Sequence, residues 1–295
     1  MRITSICRTS FYGAQSQELD FEANKKKKEY KDPLANWPLR GLGYSNDIGI
    51  AINEISPTIA RLFWVPALMY FGADVYDKYK NKGNEYNPSG KRAFSQAVFQ
   101  AMASIALPTV SGHIGQTVFS HLGRLKNDKI STNAKEQTLR FICSHSMSNN
   151  VFSSDKEKDE ILKNFENSFN NFHKHKKQHY DKKNVFVKGY DILLANSKRS
   201  AIAIAKEDNL KSYATKEFKK ILNTCQDSVA MKTKLEKEIF KLKLWKSFGA
   251  FTALALTVRP IDKFVEHTII KNFVDPQMDK IDFNRVKKFS EFQLK

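Results

Sequence analysis

At 295 residues the chain has room for one large domain or two small ones. Its 49 basic against 31 acidic side chains give a net charge of +18, and its mean hydropathy of −0.50 is that of a basic, water-compatible protein. Three widely spaced cysteines, Cys7, Cys143 and Cys225, exclude a disulfide framework and a zinc knuckle.

The first residues carry no uninterrupted apolar core of a secretory signal. Residues 1–17 hold Arg2, Arg8 and several hydroxyl side chains without an acid, a faint transit-peptide pattern that Glu18, Asp20 and Glu22 break. Residues 1–35 therefore read as a flexible tail running through Lys25–Lys28. Next comes Arg40-Gly-Leu-Gly-Tyr-Ser-Asn-Asp-Ile-Gly49. Its glycine spacing is wrong for a dinucleotide loop and no strand precedes it, so a turn entering a helix is the expectation.

Apolar residues concentrate in three stretches, Leu62–Ala73, Ala97–Val110 and Phe248–Val258. Each is shorter than the roughly 20 residues that span a bilayer, although flanking residues can extend them. Small residues such as Ser104, Gly112, Gly249 and Ala253 would let helices approach closely. Pro66 and Pro108 interrupt the first two; in water a mid-helix proline costs about 3 kcal/mol, but membrane helices tolerate it. Asp74 and Asp77, three residues apart with Lys78 beside them, share one helix face at the end of the first stretch. An ion pair with Lys78, Arg40 or Arg259 suits them better than acid–base work, because no companion nucleophile follows. Ion handling by Asp74, Asp77 and Asp262 would require them to face a cavity.

A polar region of 123–242 separates the second and third stretches. Its composition reads as amphipathic helix. Ser154-Asp-Lys-Glu157 has a capping-box pattern, followed by Ile161, Leu162, Phe165, Phe169 and Phe172 at helical spacing. Residues 185–205 add Ile192, Leu193, Ala201, Ile202 and Ile204. Phe218, Ile221, Leu222, Cys225, Val229, Leu235, Ile239 and Leu242 form another stripe. His173, His175 and His179 lie among lysines that would repel a cation, so a solvated face is expected rather than a metal site. The basic residues and aromatics of 173–190 fall on separate faces, which disfavours nucleic-acid stacking and suits an anionic membrane surface. After the third stretch, Pro260 is expected to stop the helix and Asp262 to cap a new one over 263–273. Residues 276–295 read as a C-terminal tail. The fold class expected is all-α: a helical bundle with about three membrane-embedded or deeply buried helices and an inserted amphipathic helical region.

Four ordered blocks resemble the mitochondrial fission process protein family. Arg40, Leu42, Gly43, Tyr44, Asn46 and Gly49 match a family opening of R-x-L-G-Y-x-N-E-x-G, with Asp47 for the glutamate. Tyr70, Ala73, Asp74, Asp77 and Lys78 match Y-x-x-A-D-x-x-D-K. Gln100, Ala103, Ser104 and Pro108 match W-Q-x-x-A-S-x-x-I-P, with Phe99 for the tryptophan. Pro260, Ile261 and Asp262 match a closing P-I-D, where Arg259 replaces a histidine. The resemblance covers about residues 36–122 and 243–275, a family-like apolar core, and leaves 123–242 without a counterpart of that size.

The resemblance implies an integral membrane protein without catalytic activity or cofactor, in a mitochondrial or bacterial inner membrane, with a role in membrane organisation or division. Its partners would be an anionic lipid surface or an acidic protein. A soluble basic all-α adaptor that binds an acidic protein, anionic lipid or nucleic acid is the alternative from charge alone.

Overall fold

The computed structural model describes residue 34, residues 38–80, 89–125, 129–154, 156–193, 203–205, 207 and 209–281. All regular structure among these residues is helical, without a strand, as the spacing of the apolar side chains requires. The tail expected over 1–35 falls outside the described residues except for Leu34. So do the 81–88 connection, Ala201, Ile202 and the tail beyond Ile281.

The chain divides into two units, residues 1–40 and 41–295. In the first, the described part is Leu34 and residues 38–40, where Arg40 lies exposed on a short helix, α1 (Leu39–Gly43). The second unit contains α2 (Ser45–Ile52), α3 (Pro57–Leu62) and α4 (Trp64–Lys80). There follows a continuous helical run over Ser89–Leu125, 37 residues long. It comprises α5 (Ser89–Gln100), a π-helical stretch over Ala101–Ala106, and α6 (Leu107–Leu122). Then come α7 (Thr132–Ser148), α8 (Lys158–Asp181), α9 (Val185–Leu193), α10 (Leu210–Thr224) and α11 (Ser228–Phe264). A second π-helical stretch, Val265–Val274, and α12 (Asp275–Met278) end the described chain.

Two features of α11 correct the expectations above. Pro260 does not stop the helix, which runs through it to Phe264, so Asp262 lies inside α11 and not at the start of a new helix. Breaking the helix would leave several backbone groups without helical partners, whereas a continuous helix forfeits one hydrogen bond. Likewise Pro108 does not end its helix. It sits in the first turn of α6, directly after the π-helical stretch that absorbs it. The capping-box pattern is displaced too. Glu157 is the N-cap of α8, while the Ser154 hydroxyl accepts from the Lys156 amide instead.

The second unit has two separate apolar clusters. The larger gathers Ile142, Phe165, Phe169, Leu210, Phe218 and Met231, among others, from α7, α8, α10 and the first half of α11. Phe165 and Phe218 stack at 3.9 Å between ring centroids. The smaller cluster is Ile50, Ala51, Ala250 and Leu254, with Trp64 packed against it. α11 takes part in both. At about 1.5 Å per residue its 37 residues span roughly 55 Å. Its first turn is fixed by Asp227, whose carboxylate accepts from the Ala230 amide at 2.7 Å.

α6 and α11 run antiparallel: Ser111 meets Thr257 at 2.7 Å, Gly115 meets Gly249, and Phe119 meets Trp245 and Phe248. A Cβ built on Gly249 would lie 2.7 Å from the Gly115 carbonyl oxygen, so only glycine allows the two backbones to come this close.

Candidate functional site

The residues singled out from the first three sequence blocks converge on one buried polar seam. α2 presents Asn46, 1% exposed, whose side-chain amide donates to the Ser104 carbonyl. Pro108, four residues on, has no N–H, so an α-helical bond to that carbonyl is barred and the Asn46 amide serves as a donor to it. The Ser104 hydroxyl donates to Gln100 Oε1 at 2.6 Å, and Gln100 Nε2 donates to Asp74 Oδ2 at 2.5 Å. Gln96 Nε2 donates to the same carboxylate oxygen at 2.5 Å. Asp74 and Gln100 are both buried, at 3% and 5%. The seam thus ties α2, α4, α5 and the first π-helical stretch together by hydrogen bonds that helix faces alone would not supply.

The remaining motif residues surround it. Gly43 is buried, and a Cβ there would lie 2.9 Å from the Tyr70 ring; Gly49 is buried against the Ala60 carbonyl. Tyr44, Asp77 and Lys78 are half-buried, the last two a turn beyond Asp74 on α4. Asp262 is half-buried and its charge is felt at Asp47, which brings the fourth block near the first. Pro260 lies exposed on α11.

Outside this seam the same helices are apolar. Ile59, Leu62, Val65 and Met69 follow one another at helical spacing on α3 and α4, and all are exposed, Met69 at 70%. Ile114 and Val118 on α6, and Phe248, Phe251 and Leu256 on α11, are exposed as well, Leu256 at 72%. An open apolar groove of about 550 Å³ runs between α6 and α11, lined by Ile114, Val118, Leu256 and Phe264. Among the described residues one helix, Ser89–Leu125, is long and apolar enough to cross a membrane, and only 17% of its most apolar window is buried. The expectation was of about three membrane-embedded or deeply buried helices; α4 and α11 carry their apolar residues in shorter stretches than the Ser89–Leu125 run.

A second polar centre was not visible in the sequence. Lys246 of α11 is 1% exposed and pairs with Glu54 at 2.8 Å and Glu136 at 2.7 Å. Arg140 also pairs with Glu136 at 2.8 Å. Burial works to raise the Glu136 carboxyl; Lys246 and Arg140 overcome it and hold it below its ordinary value. Nearby, Glu207 accepts from Arg124 and from the Ser131 amide, clamping the end of the Ser89–Leu125 run to the start of α7. Nothing in composition or spacing marks Lys246 among its lysine neighbours as the buried one.

The histidines singled out earlier are not gathered into a site. His173 contacts the Glu207 carbonyl at 3.2 Å, while His175 and His179 are exposed. Among the described residues no group of three or more His, Cys, Asp or Glu side chains is placed to hold a metal ion.

No family model and no solved structure matches the chain. It is 30% identical over 123 residues to "Mitochondrial fission process protein 1" of Caenorhabditis elegans. The match takes in 37% of this chain and 70% of that relative. With that similarity over most of the relative's length, the chain belongs to the mitochondrial fission process protein family.

Proposed function

We propose that the chain is a non-enzymatic integral protein of an inner membrane, mitochondrial by the name of its relative, with a role in membrane organisation or division. The observation that carries this reading is the distribution of polarity around α3–α6 and the second half of α11. Their hydrogen-bonding side chains point inward to Asp74 and Asn46, while Leu62, Met69 and Leu256 point outward. A water-soluble bundle places its large side chains the other way, and exposed apolar patches of this kind mark contact with lipid or a partner.

Residues 123–242 are then an inserted helical bundle on one side of the membrane. Its phenylalanine core is that of a water-soluble fold. The polar seam has no nucleophile–base pair and serves to fix which helices pack, since hydrogen bonds between helices in lipid are worth about 0.6–2 kcal/mol each. The soluble adaptor remains the rival, favoured by the single helix of membrane-crossing length among the described residues.

Alkaline carbonate extraction of membranes from cells that express the tagged chain separates the two. The membrane reading predicts retention through carbonate and release by detergent. Release by carbonate or salt would overturn it.

A further inference from the structure

The corner between α8 and α9 carries large apolar side chains that stand exposed among the described residues. Val185 is 77% exposed and Phe186 86%, with Val187 at 45% and Tyr190 at 57%. These are the first turns of a helix that is well built. Asn184 caps it, its side chain accepting from the Phe186 amide at 3.2 Å and its carbonyl from the Lys188 amide at 2.9 Å. Lys183 anchors it through Asp191, which is fully buried, at 2.6 Å. The Lys188 ammonium lies 4.6 Å from the centre of the Tyr180 ring.

Around this apolar tip the charge is mostly positive. Residues 173–190 hold six lysines against one acid, Asp181. α9 also packs against α6, a helix of the apolar layer, so the tip belongs to a part of the insertion that touches that layer. An exposed Val-Phe-Val run inside a lysine cluster is costly in water. It would be satisfied where apolar side chains meet acyl chains while ammonium groups reach phosphates. An acidic protein would match the lysines but would leave the valines and phenylalanine without an apolar partner.

We propose that the α8–α9 corner is an interfacial anchor: Val185, Phe186 and Tyr190 enter the headgroup boundary of an anionic bilayer, and Lys182 with its neighbours binds the headgroups. The inference rests on the membrane reading above and gives the insertion a fixed seat on the lipid surface beside α6. Lysines near such a surface are drawn to its negative potential, so the anchor should depend on lipid charge and be weakened by salt.

The test uses the full chain with its three cysteines replaced by alanine and an environment-sensitive fluorophore on Phe186→Cys. A second protein with the label on Lys163→Cys, an exposed position of α8, serves as control. Both are reconstituted in vesicles of phosphatidylcholine alone or with roughly one third phosphatidylserine. Iodide quenching of the label at 186 is expected to fall about threefold in the anionic vesicles and to recover in about 0.5 M salt or with Lys182→Glu and Lys177→Glu, while the label at 163 stays water-accessible. Equal quenching at 186 in both lipids would overturn the proposal. So would shielding in detergent without lipid, or only on addition of polyglutamate. Carbonate extraction of the same vesicles keeps the two readings apart. Protein retained with a water-exposed label at 186 refutes the anchor alone; protein released refutes the membrane reading.

Discussion

At the scale of single residues, the seam rests on matching donors to acceptors that have no water to turn to. Asp74 accepts from two glutamine amides on the facing helix, and a charge-assisted bond of this kind is worth about 1.5–3 kcal/mol. Asp74→Leu should therefore lower the stability of the detergent-solubilised protein by at least about 2 kcal/mol, read by chemical unfolding. The Asn46–Ser104 bond makes a subtler forecast. Asn46 supplies the donor that Pro108 cannot, so Asn46→Ala should cost less in a Pro108→Ala background, where the helix supplies an amide of its own. Additive losses in that double-mutant cycle would mean that the two residues are not coupled through the Ser104 carbonyl.

This seam was partly legible in the sequence. Asn46, Asp74, Gln100, Ser104 and Pro108 stood out as residues, but their spacing says nothing of a shared partner, because they come from helices far apart in the chain. Gln96, which completes the Asp74 site, lies one turn from Gln100 and carries no local signal of its own. Lys246 was hidden for a stronger reason. Burial of a charge depends on Glu54 and Glu136 arriving from elsewhere, and a lysine-rich stretch looks the same whether or not they do.

At the scale of elements, two glycines on α4 and α6 make opposite demands. Gly72 has open space around its Cβ position, whereas a Cβ on Gly115 would run into the Gly249 carbonyl and the Ala253 methyl. Gly72→Ala should be neutral or stabilise by up to about 1 kcal/mol through helix propensity. Gly115→Ala should destabilise by about 1–3 kcal/mol, because α6 and α11 must move apart. Thermal unfolding of both variants in one detergent would show the sign difference; equal shifts would contradict the close α6–α11 packing.

The elements themselves were the most readable level. The phenylalanine stripe of α8 is a period-3.6 pattern that buries Phe165 and Phe169 as its spacing requires. What misled was proline. Pro260 reads as a helix end, but the helix continues through it, and the π-helical stretch before Pro108 takes up the strain at the other site.

At the scale of the whole molecule, α11 joins the two apolar clusters. Its first half belongs to the phenylalanine cluster and its second half to the apolar layer, with Lys246 between them. Removing that ammonium would leave buried Glu136 with Arg140 alone and take from half-buried Glu54 its ion-pair partner, so Lys246→Met should cost about 3–5 kcal/mol. The same centre sets a pH dependence. The Glu136 carboxyl is held below its ordinary value of 4.5, so its contribution is present above that pH and is lost as the pH falls through the folded value. Denaturant titrations at descending pH should show stability falling below about pH 4.5, and Glu136→Gln should flatten the fall. A fall of equal steepness in that variant would assign the acid sensitivity to other carboxylates.

On the membrane reading, the outward apolar faces of α4 and α11 are covered by lipid. Met69 and Leu256 are 70% and 72% exposed, so cysteines placed there are open to reagent unless a bilayer covers them. Met69→Cys and Leu256→Cys, in sealed native membranes, are expected to resist a charged water-soluble maleimide that labels Lys163→Cys readily. Rapid labelling of all three would place these faces in water and contradict the membrane reading.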